Sequence, residues 1–314
     1  MNKLEASFVL LSVTFFWGIQ YMFLGNIPEG ISTFAFLTLT NAIGFILVAS
    51  VFYKEFMRIT RKLVWKSFLT AVLLFGFNVL LTMGSRSMET STASFLAAAY
   101  IIFIPAVMAA LRKKIYRRNV AGVLMALVGI FLATGIGFGA GGGGMAGLSG
   151  GIFYLLGADI FFAVYIVALE ELAGDLSPVL LSMGQMFFGS LFGLCGWLVV
   201  QPETIVKLPI ETQFWASVLV IAVFIRGFTT VMQVYAQRYV SALNASLIFS
   251  MEIIFTLISM QFLPLLLGEE REPLTVSKVC GCLCIIVGAL VSEGAIRIPA
   301  GRGRQNKDGQ MRFR

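Results

Sequence analysis

Three ionisable residues, Asp159, Arg226 and Glu252, stand deep inside apolar stretches of the chain. Each lies roughly 8–12 residues, or about 12–18 Å, from the nearer end of its stretch if that stretch is helical. A lone charge at such depth in hydrocarbon costs at least about 2.5–3.5 kcal/mol, so these groups must face protein or water and are normally paired. One guanidinium cannot neutralise two carboxylates. The surplus acid must take up a proton, or meet a positive charge on a ligand. Glu252 and Asp159 are therefore the candidate proton-coupling groups, and Arg226 suits a ligand carboxylate. A zwitterion such as an amino acid answers both. The same residues leave one alternative open, a structural ion pair between Arg226 and Glu252 or Asp159.

Neighbouring polar residues recur at steps of three or four, which places them on single helical faces. Arg226, Thr230, Gln233 and Gln237 form one such stripe, Asn78, Thr82 and Ser85 a second, and Glu252, Thr256 and Ser259 a third. Thr14, Trp17 and Tyr21 form an aromatic wall suited to cation or ring contacts. The expected substrate-binding set is Arg226, Glu252, Asp159, Asn78, Gln233, Trp17 and Tyr21, with Asn41 and Tyr100 as further candidates. Hydrogen bonding between helices is the competing reading for each stripe.

Other chemistry is poorly served. The chain has no histidine, which removes imidazole as base, proton shuttle or metal ligand. Gly147-Leu148-Ser149-Gly150-Gly151 fits a serine-hydrolase pattern but has no histidine to activate the serine. No Gly-Lys-Ser/Thr phosphate loop is present, which removes nucleotide hydrolysis as an energy source. Cys195, Cys280, Cys282 and Cys284 fall in apolar stretches at spacings unsuited to a chelating face. No catalytic residue, metal or cofactor is expected.

The elements that must position these residues follow from composition. Of 314 residues, 58% are hydrophobic and 12% charged, and the mean hydropathy is +0.90. That excludes a water-soluble enzyme. A hydrocarbon core about 30 Å thick takes about 20 apolar residues per helix. Ten stretches meet that length, at about 5–25, 31–52, 67–87, 91–111, 119–138, 151–170, 178–200, 214–237, 241–263 and 275–296. Backbone amides cannot go unpaired in lipid, and the stretches lack the alternation of a barrel strand, so all ten are expected to be helices. The first has no basic leader or cleavage site and reads as a retained helix. Pro105, in mid-stretch, is a candidate kink. Trp65 and Trp215 read as interface anchors.

With ten spans both termini share one side, which holds 18 of the 23 basic residues, among them Lys54, Arg58, Arg61, Lys62, Lys66, Arg112 to Lys114, Arg238 and the tail from Arg297. The other side holds Arg86, Lys207, Arg271 and Lys278 beside several glutamates. Both termini are expected in the cytoplasm, with the chain in the cell (inner) membrane. The net charge of +7 then reports topology and contact with anionic lipid rather than nucleic-acid binding.

Internal repetition sets the architecture. GVLMALVGIFLATG (122–135) aligns without gaps with GCLCIIVGALVSEG (281–294), and RSMETSTAS (86–94) with RYVSALNAS (238–246). Each half then has five spans, and an odd number forces the second copy to enter the bilayer inverted, the arrangement of alternating-access transporters with a midplane site. The expected organisation is a first repeat over 1–138, a glycine-rich external linker over 139–150, a second repeat over 151–297 and a basic cytoplasmic tail over 298–314. The fold expected is thus all-α, with ten transmembrane helices as a 5+5 inverted repeat around a central cavity.

Phe16-Trp17-Gly18, the run TSTASFLAAAYIIFIPAV (90–107), Gly184-Gln185, YAQRYVSALNAS (235–246), and Glu252 followed by Gly268-Glu269 resemble the ten-helix EamA-type branch of the drug/metabolite transporter superfamily. The resemblance covers about residues 5–297. It implies an inner-membrane secondary transporter, commonly an exporter of amino acids or other small metabolites, with helices around a central cavity. The chain departs from the family pattern in three places. Leu39-Thr40-Asn41 stands where an Arg is common, Ile253 where a Pro often follows the glutamate, and Arg112-Lys113-Lys114 where an acidic residue is usual. The function expected is export of a small amphipathic metabolite, an amino acid or related compound, by alternating access. A multidrug or cation exporter and a passive solute channel are the alternatives. The expected partners are a small-molecule substrate, protons and membrane lipid, with monomer and homodimer left open.

Overall fold

The computed structural model describes residues 1–25, 27–111, 117–134, 150–174, 176–205, 208, 210–267 and 273–293. Among them every regular element is helical. In chain order they are α1 (Lys3–Gly25), α2 (Thr33–Val51), α3 (Arg61–Ser85), α4 (Thr90–Ala97), α5 (Tyr100–Ala110), α6 (Arg117–Thr134), α7 (Gly151–Leu172), α8 (Pro178–Val200), α9 (Thr212–Val220), α10 (Thr230–Ala236), α11 (Ala242–Phe249), α12 (Glu252–Leu267) and α13 (Val276–Glu293). A short 3-10 turn, Tyr53–Arg58, precedes α3, and a π-helical stretch, Ile221–Thr229, joins α9 to α10. The glycine-rich linker at 139–149, the tail from 294 and the basic cluster Arg112 to Lys114 lie outside the described residues.

Local sequence explains the helix starts. Ser32, Thr60 and Ser177 each accept a hydrogen bond on the side-chain oxygen from the backbone N–H three residues on, capping α2, α3 and α8. Pro178 follows Ser177 at the first helical position, where its missing N–H costs nothing.

Eight helical segments are long and apolar enough to cross a membrane: α1, α2, α3, α4 with α5, α7, α8, α9 through Tyr239, and α11 with most of α12. Of the remaining two expected spans, α13 has a shorter apolar stretch, Val276–Gly288, and α6 opens on Arg117-Arg118-Asn119. The burial pattern is that of a protein solvated by lipid. Asn78, Asp159, Gln185, Arg226, Gln233 and Glu252 are buried, while Ile46, Phe153, Val199 and Phe262 are exposed. Cys280 is exposed and Cys282 buried, so the two do not share a face, and all four cysteines are free thiols.

The bundle is knit by α2 on α8, α3 on α7, α1 on α12 and α6 on α13. In the last pair the close approach needs glycine. A Cβ on Gly129 would meet the Gly281 carbonyl oxygen at 2.5 Å, and one on Gly281 would meet that of Gly129 at 2.5 Å. A Cβ on Gly288 would meet the Gly122 carbonyl oxygen at 2.6 Å. The Gly129 and Gly281 contacts are thus reciprocal.

Two further features occur twice along the chain. Two of the expected spans are broken, and the breaks fall in register. Ala99, Ile101 and Ile102 donate backbone bonds to residues three back at 3.0, 3.4 and 3.0 Å, and Met251, Ile253 and Ile254 do the same at 3.0, 3.4 and 3.0 Å. The break therefore lies at Ala98–Ala99 rather than at Pro105, which sits within α5. Arg86, at the end of α3, donates to the carbonyls of Ile31 and Pro28 at 2.8 and 3.0 Å, tying down the approach to α2. Burial lowers the pKa of its half-buried guanidinium, partly offset by Glu29. Arg238, after α10, likewise donates to the carbonyls of Ala173 and Leu176 before α8. The path from Glu211, before α9, to Arg238 is one residue longer than that from Thr60 to Arg86, as a π-helical insertion makes it.

Candidate functional site

The broken and π-helical segments converge on a small internal cavity. It holds about 20 Å³, room for roughly one water. Its wall takes Trp17 and Gln20 from α1, Leu74, Phe77 and Asn78 from α3, Tyr100 from the start of α5 and Phe162 from α7. Ile225 and Arg226 come from the π-helical stretch, Thr230 and Gln233 from α10, and Glu252 from the start of α12. Tyr100 and Glu252 follow the two breaks at matching positions, so each break delivers a polar side chain to the wall.

Arg226 is held by a hydrogen bond from Nη1 to Oδ1 of Asn78 at 2.8 Å. The Asn78 amide is itself oriented, because its Nδ2 donates to the Leu74 carbonyl at 2.7 Å and leaves the oxygen for the guanidinium. Among the described residues no ion pair joins Arg226 to Glu252 or Asp159, so the structural salt bridge left open by the sequence is not formed. The reason is reach: the guanidinium is turned to α3, while both acids sit against the helix breaks. Glu252 instead accepts from the Tyr21 hydroxyl at 3.4 Å. Asp159 is fully buried outside the cavity wall, and neither of its carboxylate oxygens has a hydrogen-bond partner. The backbone N–H of Tyr100 faces it without closing a bond of normal geometry, which aims the positive end of α5 at this acid. The Arg226 Nε and the Tyr100 hydroxyl also carry no hydrogen bond within the protein. Unsatisfied buried polar atoms are rare in native proteins, and here several gather around one cavity.

Aromatic rings form the apolar part of the site. Phe162 lies 4.3 Å from Phe77, 4.8 Å from Tyr100 and 5.6 Å from Trp17, centroid to centroid. The Trp17 indole N–H donates to the Thr229 hydroxyl at 3.1 Å, which fixes the ring edge on. Behind the wall, the Gln233 amide donates to Gln237 at 3.4 Å and Gln237 to the Ile166 carbonyl at 2.8 Å, so part of that polar stripe ties helices together.

Of the nine expected site residues, Arg226, Glu252, Asn78, Gln233, Trp17 and Tyr100 line the cavity, Tyr21 reaches it through Glu252, and Asp159 lies behind Tyr100. Asn41 is placed elsewhere. Its amide donates to the Leu37 carbonyl at 2.8 Å, and it packs on Gly189 between α2 and α8. Sequence reasoning missed Gln20, Phe77, Phe162 and the π-helical stretch that carries Arg226. Gln20 had a signal, its step of three from Trp17, whereas an aromatic residue in an apolar helix has none. The expected central cavity has room here for about one water.

The EamA-like transporter family matches residues 4–135 and 149–293. An uncharacterized transporter of Archaeoglobus fulgidus is 24% identical over 257 residues, spanning 81% of this chain and 77% of its own length. A solved crystal structure 17% identical in sequence superposes with a TM-score of 0.67 over 93% of this chain and 96% of the other, which speaks to the fold alone.

Proposed function

From a chain that belongs to the EamA-like transporter family, within the drug/metabolite transporter superfamily, we propose a secondary exporter of a small zwitterionic metabolite, of the amino acid class, working by alternating access. The premise itself makes the protein a multi-pass membrane transporter of a small molecule and not an enzyme. The proposal adds ten spans, a 5+5 inverted repeat over 1–138 and 151–297, an inner-membrane location and cytoplasmic termini. The crossed α6–α13 contact, the paired helix breaks and the paired Arg86 and Arg238 ties support the repeat. Lys66 donating to the α7 terminal carbonyl of Leu172 at 2.8 Å supports a shared basic end for α3 and α7.

One observation carries the substrate class: Arg226 is hydrogen-bonded to a neutral amide while two buried carboxylates stand apart from it. A cation already neutralised by Glu252 or Asp159 would have nothing to offer a substrate carboxylate. Here the guanidinium keeps its charge for that group, and the acids keep theirs for an ammonium or a proton. The water-sized cavity corresponds to an occluded state that must widen on one side to load.

Transport of labelled amino acids into proteoliposomes, with and without a pH gradient, tests this. Arg226→Gln is expected to abolish transport of zwitterions. Glu252→Gln or Asp159→Asn is expected to remove the response to the pH gradient. Unchanged transport and pH response in all three variants refutes the proposal. The ring cluster of Trp17, Phe77, Tyr100 and Phe162 beside Glu252 favours a second reading, export of aromatic or quaternary cations. In that case a cationic dye, and not an amino acid, is carried, and Arg226→Gln improves the rate.

A further inference from the structure

A second cavity lies on the outer face of the bundle and shares no lining residue with the first. It is a groove of about 260 Å³ between α2, the 3-10 turn, the first turns of α3 and α8. Phe45, Phe56, Val64, Met183 and Phe187 make it apolar. Ser67 is the exception: it borders the groove, is 1% exposed, and its hydroxyl has no hydrogen-bond partner. A hydroxyl left unsatisfied in an apolar wall calls for an acceptor from whatever fills the groove.

The mouth of the groove is cationic. A neighbouring hollow, sharing Val64 and Phe188 with it, is lined by Arg61, Trp65 and Phe68. Arg58 is engaged by Glu55 at 3.1 Å, whereas Arg61 and Lys62 have no ion pair or hydrogen bond among the described residues. Both belong to the first turn of α3, where Thr60 caps only the Leu63 N–H and the positive end of a 25-residue helix adds to their charge. Ser67 lies about 9 Å further along α3 from Arg61. Trp65, 60% exposed, stands beside the mouth as an aromatic residue does at a membrane interface.

We infer that this groove binds one anionic phospholipid. Its phosphate sits on Arg61 and the α3 N-terminus, an ester carbonyl accepts from Ser67, and an acyl chain lies along Phe45 and Phe187. Charge, a single hydroxyl at intermediate depth, and an apolar trough follow one another in the order that a phospholipid presents them. The inference is independent of the transported substrate.

The test is native mass spectrometry of the full chain in detergent, titrated with dioleoyl phosphatidylglycerol or dioleoyl phosphatidylcholine. One phosphatidylglycerol per chain is expected to be retained, at least about fivefold over phosphatidylcholine, the factor one cation near an anionic surface supplies. Arg61→Gln should remove that preference and Arg61→Lys should keep it. Val64→Trp, at a half-exposed position, should expel both lipids from the groove without disturbing the core. Equal retention of the two lipids by the wild type, or either Arg61→Gln or Val64→Trp retaining phosphatidylglycerol as the wild type does, overturns the inference. Displacement of the lipid by glycerol 3-phosphate, which has no chain, or by a transported amino acid, overturns it too.

Discussion

Gly18→Ala is expected to disable transport by moving Glu252, although it adds one methyl group and no charge. A Cβ at Gly18 would stand 2.6 Å from Phe255 Cβ, 2.7 Å from the Glu252 carbonyl oxygen and 2.8 Å from the Thr256 backbone nitrogen. Ordinary contact begins near 3.4 Å, so the first turn of α12 must retreat from α1 by about 0.6–0.8 Å. That also stretches the bond from the Thr256 hydroxyl to the Gly18 carbonyl, now 3.0 Å. Overpacking of this size costs about 1–3 kcal/mol. If the same amount is lost from the occluded state, transport falls about 5- to 150-fold. The assay is counterflow in proteoliposomes together with the apparent melting temperature in detergent. Gly30→Ala is the control, since a Cβ there meets nothing within 4 Å. Wild-type transport and melting in Gly18→Ala, or equal damage from Gly30→Ala, refutes the reasoning that α1 seats Glu252 through this contact.

Two other outcomes follow from the same geometry. Asn78→Leu removes the acceptor that holds Arg226 and leaves a buried charged donor unpaired, a loss of about 1.5–3 kcal/mol. Its melting temperature should fall while Asn78→Asp, which keeps an acceptor, stays close to wild type; calorimetry or a thiol-dye melt distinguishes them. Arg86→Ala and Arg238→Ala each release the tie at one end of the bundle. A cysteine introduced by Gln20→Cys, in a background without the four native cysteines, should become reactive to an impermeant maleimide from one side in Arg86→Ala and from the other in Arg238→Ala. Equal reactivity from one side in both variants contradicts the assignment of the two ties to opposite ends.

Sequence and structure divide unevenly over the site. Asp159, Arg226 and Glu252 were legible because a charge inside a long apolar helix is costly wherever the helix points. The rotation of each helix was not legible. Most spans are apolar nearly all round, so their side-chain pattern carries little record of which face meets protein and which meets lipid. That is why Asn41 and Asn78, alike in sequence context, end apart: one bonded to its own helix and packed on Gly189, the other holding Arg226. The breaks at Ala98–Ala99 and Ser250–Met251 were hidden for a similar reason, since alanine, serine and methionine do not by themselves end a helix.

Composition and local pattern alone determined that the chain is a helical membrane protein, that it echoes itself, and that two acids and one guanidinium lie deep inside apolar stretches. These properties follow from solvation energies and hydrogen-bond requirements that act residue by residue. Only the tertiary structure decided that Arg226 pairs with a neutral amide, that two broken helices bring Tyr100 and Glu252 to one wall, and that Ser67 and Arg61 share a groove. Each of those depends on contacts between residues distant in the chain, whose geometry is set by how whole helices pack.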